Sequence, residues 1–337
     1  MIKIDGSFGS GGGQILRTAC ALSVITNKPV HIFNIRTNRP KPGLMPQHLL
    51  GIQALAEFCY GKLEGNELGS KEIKFYPAKI YKDHLFINIP TAGSITLVLQ
   101  TLIPTALFSS QPVIITFNGG ATDTFFSPTI DHFRYVFLKI LTSHISFPFK
   151  IEIIKRGYYP EGGAKVKVKI FPSQLKNFNL IERGSLKKIL AISGASEFLK
   201  NKQVAERQLK GVREILGKLK LPIEEKIEYY QTSSPGSQIS LIAEFENTII
   251  GSDNLGKIGK KAEEVGKEVA LELLKEEKTR ACLDKYSADQ ILPFLALAEK
   301  PSQATVSEIT DHCKTNIWVI EKFLEGKFEI KNNLISW

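Results

Sequence analysis

The chain has 337 residues, 43% of them hydrophobic, which is enough for a full core and for two or three domains. It contains no long uncharged apolar run, so the composition excludes a transmembrane helix and a membrane partner. The formal net charge is +10, with 44 Lys and Arg against 34 Asp and Glu. This balance favours an anionic partner such as nucleic acid or a nucleotide, although thermal adaptation also enriches lysine.

The first residues, from Met1 to Asp5, are predicted to form a strand directly, without a signal peptide. A cytoplasmic location is therefore expected. The cysteines are scattered and form no Cys-x-x-Cys pair, which argues against a zinc site and fits reduced thiols. They are Cys20, Cys59, Cys282 and Cys313.

A glycine-rich turn, Gly6 to Gly13, follows the first strand and precedes a helix predicted over 14–26. Such a turn presents backbone N–H groups to a phosphate. No Gly-Lys-Ser/Thr follows it, and the spacing of a dinucleotide-binding fold is missing. By itself the turn does not specify a nucleotide site.

A cationic turn comes next, after a strand predicted over 29–35. It carries Arg36, Arg39 and Lys41, and two prolines stiffen it. Three cations on a rigid loop suit the clamping of phosphate groups. An ordinary solvated loop is the alternative. A helix over 45–60 and a strand over 73–76 are predicted beyond it.

The same order of elements then recurs, which indicates one supersecondary unit used three times. The second copy has a helix predicted over 95–108, a strand over 112–117 and a helix over 128–144. The third begins its helix at Asp289, continues with a strand over 304–309 and ends with a helix over 316–324.

The spacing of the copies predicts an inserted domain. The first two helix starts are about 80 residues apart and the next two about 196, which leaves roughly 110 surplus residues. The predicted large domain covers 1–181 and 277–337, and an inserted α/β domain covers 182–276. The insert has a strand over 188–192, a helix over 202–219, two strands joined by Ser233 to Gly236, and a Lys/Glu-rich helix. The expected fold class is α/β in the α+β arrangement.

One histidine near the end of the chain is a candidate for chemistry. His312 lies between Asp311 and Lys314, and imidazole can act as a nucleophile, a base or a metal ligand near neutral pH. A helix cap or a hydrogen-bonded surface residue is the alternative interpretation.

Six motifs, in this order and at compatible spacing, resemble the RNA 3′-terminal phosphate cyclase family over nearly the whole chain, including the insert. They are Gly11-Gly12-Gly13-Gln14-Ile15-Leu16-Arg17, then Arg36 to Leu44 with Gln47-His48-Leu49, then Ala92-Gly93-Ser94 with Leu97-Val98-Leu99-Gln100, then Gly157-Tyr158-Tyr159-Pro160 with Gly162-Gly163, then Tyr286 with Ala288-Asp289-Gln290 and Leu292-Pro293, and finally His312 with Thr315-Asn316-Ile317.

The resemblance implies a large domain of three repeated βα units, like those of enolpyruvylshikimate-phosphate synthase, with a smaller insert. It also implies an activity. The family uses ATP, with a divalent metal (Mg or Mn), to convert an RNA 3′-terminal phosphate into a 2′,3′-cyclic phosphate, through a histidine that carries AMP. RNA with a 3′-terminal phosphate would be the partner, and homo-oligomer formation stays open.

The resemblance assigns roles to particular residues. His312 would be the nucleophile, and the ATP site would contain Gln100, Tyr286, Ser287, Ala288, Asp289 and Gln290. The cations for the triphosphate or the RNA phosphate would be Arg17, Arg36, Arg39 and Lys41. Many members of the family have glutamate where this chain has Ser10, and serine is a weaker ligand for a hard cation. The metal ligands therefore stay unassigned.

Two other functions compete with this hypothesis. A non-catalytic cyclase-like ribosome-assembly factor would share the fold and charge. The presence of His312 beside Asn316, together with Asp289-Gln290, favours the enzyme. A plain single-strand RNA-binding protein would stack bases on aromatic side chains. Its candidates are Phe125, Phe126, Tyr158 and Tyr159, although aromatic residues beside turns more often pack into a core.

Overall fold

The computed structural model describes residues 1–219, 222–299 and 301–337, without the side chain of residue 219. Residues 220 and 221 of the predicted insert, and residue 300 of the predicted third copy, lie outside the described residues. Helices and strands alternate along the chain, so the mixed α/β class predicted from the sequence is confirmed.

The first sheet is built from the first 76 residues and has the strand order β1-β2-β4-β3. Strand β1 is parallel to β2, and the other neighbours are antiparallel. Its elements are β1 (Ile2–Asp5), α1 (Gly13–Thr26), β2 (Val30–Phe33), α2 (Pro46–Phe58), β3 (Lys62–Glu64) and β4 (Ile73–Tyr76). Alternate side chains such as Ile4, Ile32 and Phe75 are buried, which gives the period of two that marks a half-buried sheet.

The second sheet repeats this arrangement as β5-β6-β8-β7, again with the first two strands parallel. The helix predicted over 128–144 runs from 130 to 142, and its middle turn is π-helical, a form common at functional sites. The elements are β5 (His84–Ser94), α3 (Ile95–Leu107), β6 (Val113–Ala121), α4 (Ile130–His132), the π segment Phe133–Phe137, α5 (Leu138–Thr142), β7 (Lys150–Lys155) and β8 (Lys165–Ile170).

After the short strand β9 (Asn179–Leu180), the chain forms a sheet with the order β11-β10-β12-β13. Two helices pack on one face of it, and the apolar residues between 189 and 273 that they cover form a separate core. Strand β13 was not predicted. The elements are β10 (Leu186–Ser196), α6 (Val204–Leu216), β11 (Ile223–Tyr230), β12 (Ser237–Phe245), β13 (Ile249–Leu255) and α7 (Ala262–Lys278), with short 3₁₀ turns at Glu197–Lys202 and Gly217–Leu219.

The last elements complete a sheet with the order β9-β14-β16-β15, in which β9 and β14 are parallel and the other neighbours are antiparallel. They are α8 (Lys285–Leu297), β14 (Gln303–Thr305), α9 (Asp311–Phe323), β15 (Glu329–Lys331) and β16 (Leu334–Ser336).

Three predicted boundaries in this last region were wrong. Helix α8 begins four residues before Asp289, because the Asp284 carboxylate accepts the N–H groups of its first turn. Strand β14 ends at residue 305, not 309. Helix α9 begins at Asp311, not at 316, because the Thr310 hydroxyl accepts the N–H of Cys313. His312 therefore lies in the first turn of a helix.

The main core includes residues from all four sheets and from the helices that pack between them. Helix α1 packs against α3 and α9, and α8 packs against α3 and α9. Ile15, Leu99, Ile291 and Ile320 meet in one buried cluster. This packing brings the N-termini of α1 and α9 together. Within the described ranges, no helix has the length and apolar character needed to cross a bilayer. The four cysteines are buried and unpaired.

Candidate active site

The glycine-rich turn lies against the start of α9. Phe8 stacks on Trp318 with ring centroids 4.2 Å apart. Gly12 is the N-cap of α1, and a Cβ added there would lie 3.5 Å from Nη2 of Arg39 and 3.9 Å from Cε1 of His312. Two helix N-termini, one guanidinium and the imidazole therefore converge. Helix N-termini and cations together favour a bound anion.

The backbone at Gly13 lies in close contact with the His48 side chain. A Cβ on Gly13 would lie only 2.0 Å from Nε2 of His48, so any larger residue here would require the His48 side chain to move. His48 is buried in the first turn of α2. Burial, with Arg17 and Arg36 nearby, lowers the pKa of His48 to about 3, so this imidazole is neutral.

The His312 side chain is 48% exposed, and its Nδ1 lies 3.7 Å from Oδ2 of Asp289. Partial burial lowers the pKa of His312, and the positive charges of Arg17 and Arg39 lower it further, while Asp311 opposes them. The imidazole is therefore neutral at pH 7. Because Nδ1 faces Asp289, Nε2 is the nitrogen left free to act as a nucleophile.

Asp289 is held by groups from α1 and α9. Gln14 Nε2 donates to Asp289 Oδ2 at 2.8 Å and to the His312 carbonyl at 3.2 Å. Asn316 Nδ2 donates to the Asp289 carbonyl at 2.7 Å, and Thr18 Oγ1 donates to Asn316 Oδ1 at 2.7 Å. Burial raises the pKa of Asp289 to about 7, although Arg17 opposes the shift. The network fixes the relative positions of the three helices that surround His312.

Four of the predicted site residues line one small cavity of about 30 Å³, which has room for a water molecule or two: Arg17, Gln100, Asp289 and Gln290. Gln100 Nε2 donates to Gln290 Oε1 at 2.9 Å, and Gln290 Nε2 donates to the Tyr286 carbonyl at 2.6 Å. Burial lowers the pKa of Arg17 to about 10, partly offset by Asp289, so the guanidinium stays charged at neutral pH.

The residues predicted on α8 for ATP divide into two groups. The Tyr286 ring is 47% exposed, with the Lys285 ammonium 4.9 Å from its centroid. The side chains of Ser287 and Ala288 are buried, and the Ser287 hydroxyl donates to Asp284 Oδ2 at 2.9 Å. Among these three residues, only Tyr286 presents its side chain on the surface.

The cationic loop carries donors that no protein group satisfies. Arg36 has φ 57°, a strained backbone conformation that is concentrated at functional sites. Its Nη2 donates to the Lys41 carbonyl at 3.2 Å. Within the described residues, Nε of Arg36, Nε of Arg39 and Oγ of Ser10 are buried without a partner, as expected where an anion completes the site. The Lys41 side chain is exposed.

The described ranges contain no preformed cluster of metal-ligating side chains. No group of three or more His, Cys, Asp or Glu residues there could hold a metal ion. The chain thus presents no carboxylate cage of the kind that binds a hard cation without help from a substrate.

Sequence reasoning missed some residues and misjudged others. Asp284 supports α8 and had a detectable signal, since Asp directly before an apolar-periodic segment is a preferred N-cap. Gln14 appeared only as part of a motif. Aromatic residues beside turns were expected to pack into a core, and Tyr158 is buried. The other three candidates, Phe125, Phe126 and Tyr159, are exposed instead.

A comparison with protein-family models identifies the class to which this fold and site belong. The model for RNA 3′-terminal phosphate cyclase matches residues 8–330. The chain belongs to the RNA 3′-terminal phosphate cyclase family.

Curated relatives agree with this family. A protein of Pyrococcus furiosus is 46% identical, with 99% of this chain and 96% of the relative aligned. A protein of Pyrococcus abyssi is 44% identical, with 98% and 95% aligned. A protein of Saccharolobus islandicus is also 44% identical, with 98% and 96% aligned. Each of the three is named RNA 3′-terminal phosphate cyclase.

Proposed function

We propose that this chain is an ATP-dependent ligase that converts the 3′-terminal phosphate of RNA into a 2′,3′-cyclic phosphate, with AMP carried on His312. The observation that carries the proposal is a neutral, half-exposed imidazole at the junction of two helix N-termini, beside Arg17 and Arg39. The names of the curated relatives support the same activity.

In the first step, Nε2 of His312 attacks the α-phosphorus of ATP, the bond from that phosphorus to the bridging oxygen breaks, and pyrophosphate leaves. A neutral imidazole needs to lose no proton before the attack, because the lone pair on Nε2 is already free. Charge develops on the imidazole as the bond forms. Asp289, next to Nδ1, stabilises that positive charge, and Arg39 with the helix N-termini stabilises the phosphoryl oxygens.

In the second step, an oxygen of the RNA 3′-phosphate attacks the AMP phosphorus, and the phosphorus–nitrogen bond to His312 breaks. In the third, the terminal 2′-oxygen attacks the 3′-phosphorus and AMP leaves. The 2′-hydroxyl proton passes to solvent or to the departing AMP. The two reacting groups belong to the same ribose, and effective molarities of such closures reach on the order of 10⁵ M, so positioning contributes several kcal/mol.

The nucleotide would bind on the open side of the small cavity, because a space of about 30 Å³ cannot contain it. The exposed Tyr286 ring offers an apolar face for the adenine, with Gln100 and Gln290 next to it. Arg36, Arg39 and Lys41 would contact phosphate groups. A magnesium or manganese ion would arrive with the triphosphate and keep mainly phosphate and water ligands, since the described residues offer no cage.

The architecture is part of the proposal. Residues 1–181 and 277–337 would form a large domain of three repeated βα units, like those of enolpyruvylshikimate-phosphate synthase, and 182–276 would be the inserted domain. The shared strand order of three sheets supports the repeats, and the separate core between 189 and 273 supports the insert. A cytoplasmic location stays a prediction.

The direct test is covalent labelling with ATP radiolabelled at the α-phosphate, followed by denaturation. The wild-type chain should retain the label, His312→Ala should retain none, and His84→Ala, a change at an exposed histidine distant in sequence, should label normally. Thermal unfolding of His312→Ala should match the wild type, since a half-exposed side chain contributes little stability. Label retained by His312→Ala would contradict the assignment of the nucleophile.

Three oligonucleotides then separate the later steps. RNA with a 3′-phosphate should become cyclic, and the same strand with a terminal 2′-deoxyribose should accumulate as the adenylylated form. A strand ending in a 3′-hydroxyl should not accept AMP. A non-catalytic ribosome-assembly protein, which the relatives' names do not favour, would give no label and no product in any of these reactions.

A further inference from the structure

A groove of about 810 Å³ separates the second sheet from the sheet that contains β10 and β12. One wall comes from the π segment with α5 and from β7 and β8, and the other comes from the sheet face that α6 and α7 leave uncovered. Leu138, Leu190 and Ile242 give it an apolar floor. No catalytic role is assigned to this groove.

Positive charge dominates the groove. Six cations and two carboxylates line it: Arg134, Lys139, Lys150, Lys167, Lys169 and Lys188, with Glu152 and Glu244. Lys188 forms an ion pair with Glu224 at 3.0 Å. Within the described part of the chain, the other five cations form no ion pair, although Glu152 lies opposite Lys167 on the paired strands. The remaining excess of positive charge favours an anionic ligand.

Two of these lysines lie where the repulsion between their charges destabilises the sheet. Lys150 and Lys169 lie directly opposite each other on β7 and β8, and like charges in that position destabilise a sheet. Both ammonium groups lie over the ring of Phe171, at 5.9 and 5.1 Å from its centroid. A phosphate bound between them would neutralise the repulsion.

We propose that this groove binds single-stranded RNA upstream of the 3′ end. Single-strand sites combine cations for the phosphates with apolar and aromatic side chains for the base faces, and here the half-buried rings of Tyr135 and Phe149 lie among the cations. A protein partner fits less well, because the centres of protein interfaces are depleted of lysine.

The groove and the active-site cavity lie on two sides of one helix. Phe137 lines the cavity beside Asp289, and the next residue, Leu138, lines the groove. A helix is about 10 Å across, so a strand of a few nucleotides spans the separation. The inference rests on the proposed function, since it assumes that the 3′ end of the RNA is at His312.

The test compares short and long RNAs with a 3′-phosphate. Binding of a trinucleotide and of an RNA of roughly fifteen nucleotides is measured across a series of salt concentrations. Lys150→Glu/Lys169→Glu should weaken binding of the longer RNA about tenfold or more and reduce the slope of log Kd against log salt by about 1.4. Binding of the trinucleotide and covalent AMP labelling should not change.

The matched control is Lys3→Glu/Lys79→Glu, which changes the net charge equally at two exposed lysines that form no ion pair with any described residue. Arg134→Gln gives a second, milder variant with the same expected direction, should the double reversal lower the melting temperature. The proposal is overturned if the groove variants bind the longer RNA like the control. The wild-type chain could take no AMP label while its binding of long RNA still depends on Lys150 and Lys169. In that case the proposed activity is wrong, and the assignment of the groove as an RNA-binding site holds.

Discussion

The charge of His312 is set by groups that come from separate parts of the chain. Arg17 lies on α1, Arg39 lies on the loop before α2, and Asp311 is the first residue of α9. The two cations disfavour the imidazolium, and so does partial burial. The folded-state pKa of His312 is therefore below the usual value of 6.5, and its nucleophilic form persists to lower pH than that of a free histidine.

Arg39→Gln should change the pH dependence of AMP transfer. Removing a positive charge raises the pKa of His312, so a smaller fraction of the imidazole is neutral at pH 6 than in the wild type. The ratio of the labelling rates at pH 6 and pH 8, measured at saturating ATP, should fall. The rate should also drop at both pH values, because Arg39 is a candidate phosphate ligand.

Lys41→Gln is the matched control for this experiment, because it removes one charge from the same loop but from a residue that does not act on His312. It should leave the ratio of rates at the wild-type value. Equal ratios in the wild type and in Arg39→Gln would show that Arg39 does not control the charge of the nucleophile.

At the scale of elements, one buried carboxylate holds the start of α8. Asp284 accepts the N–H groups of Tyr286 at 3.1 Å and Ser287 at 2.8 Å, and that of Gly251 on β13 at 3.1 Å. The helix that carries Asp289 and Gln290 is thus tied to the sheet of the second core. The position of α8 therefore depends on the main core and on the separate core between 189 and 273.

Asp284→Ala should lower the free energy of unfolding by about 2–3 kcal/mol, because a helix cap is lost and other buried donors lose their acceptor. It should also raise the KM for ATP. Urea unfolding measures the stability change, with Ser94→Ala as control. Ser94 caps α3 through one backbone N–H, that of Leu97, so its loss should cost about 1 kcal/mol. Equal losses of unfolding free energy in the two variants would show that Asp284 stabilises the fold no more than an ordinary helix cap does.

At the scale of the whole molecule, a buried ionic cluster joins the second sheet to the sheet that contains β10 and β12. Arg156 donates to Asp123 at 3.1 Å and to both oxygens of Asp131 at 2.7 Å. Its guanidinium lies 4.6 Å from the ring centroid of Tyr230, which belongs to β11. Burial raises the pKa of Asp123, and the positive charge of Arg156 opposes that shift.

Arg156→Met should lower the free energy of unfolding by about 3–5 kcal/mol, because two buried carboxylates lose their counter-charge. Arg213→Met removes an exposed arginine paired with Glu225 and should cost at most about 0.5–1 kcal/mol. Urea unfolding compares the two variants. Similar small losses of unfolding free energy in the two variants would show that Arg156 does not hold the second sheet against the sheet that contains β10 and β12.

The sequence by itself determined most of the elements and the candidate nucleophile. The helix predicted over 14–26 is α1 at 13–26, and the strand predicted over 73–76 is β4, because apolar spacing and turn residues act over a few positions. Motifs singled out His312 and Arg39. Boundaries were wrong where a cap set them, as at Asp284 and Thr310, since side-chain caps leave the apolar pattern unchanged.

Only the tertiary structure decided which of the named residues meet. Gln14 and Asp289 are 275 positions apart and form a hydrogen bond, whereas the neighbours Tyr286 and Ser287 point to the surface and to the interior. The groove joins lysines from strands of different sheets. The local spacing of apolar residues predicts which face of a helix or strand is apolar, but it does not predict which other element covers that face. That choice depends on how all the apolar faces are buried together, so it is made only when the chain packs.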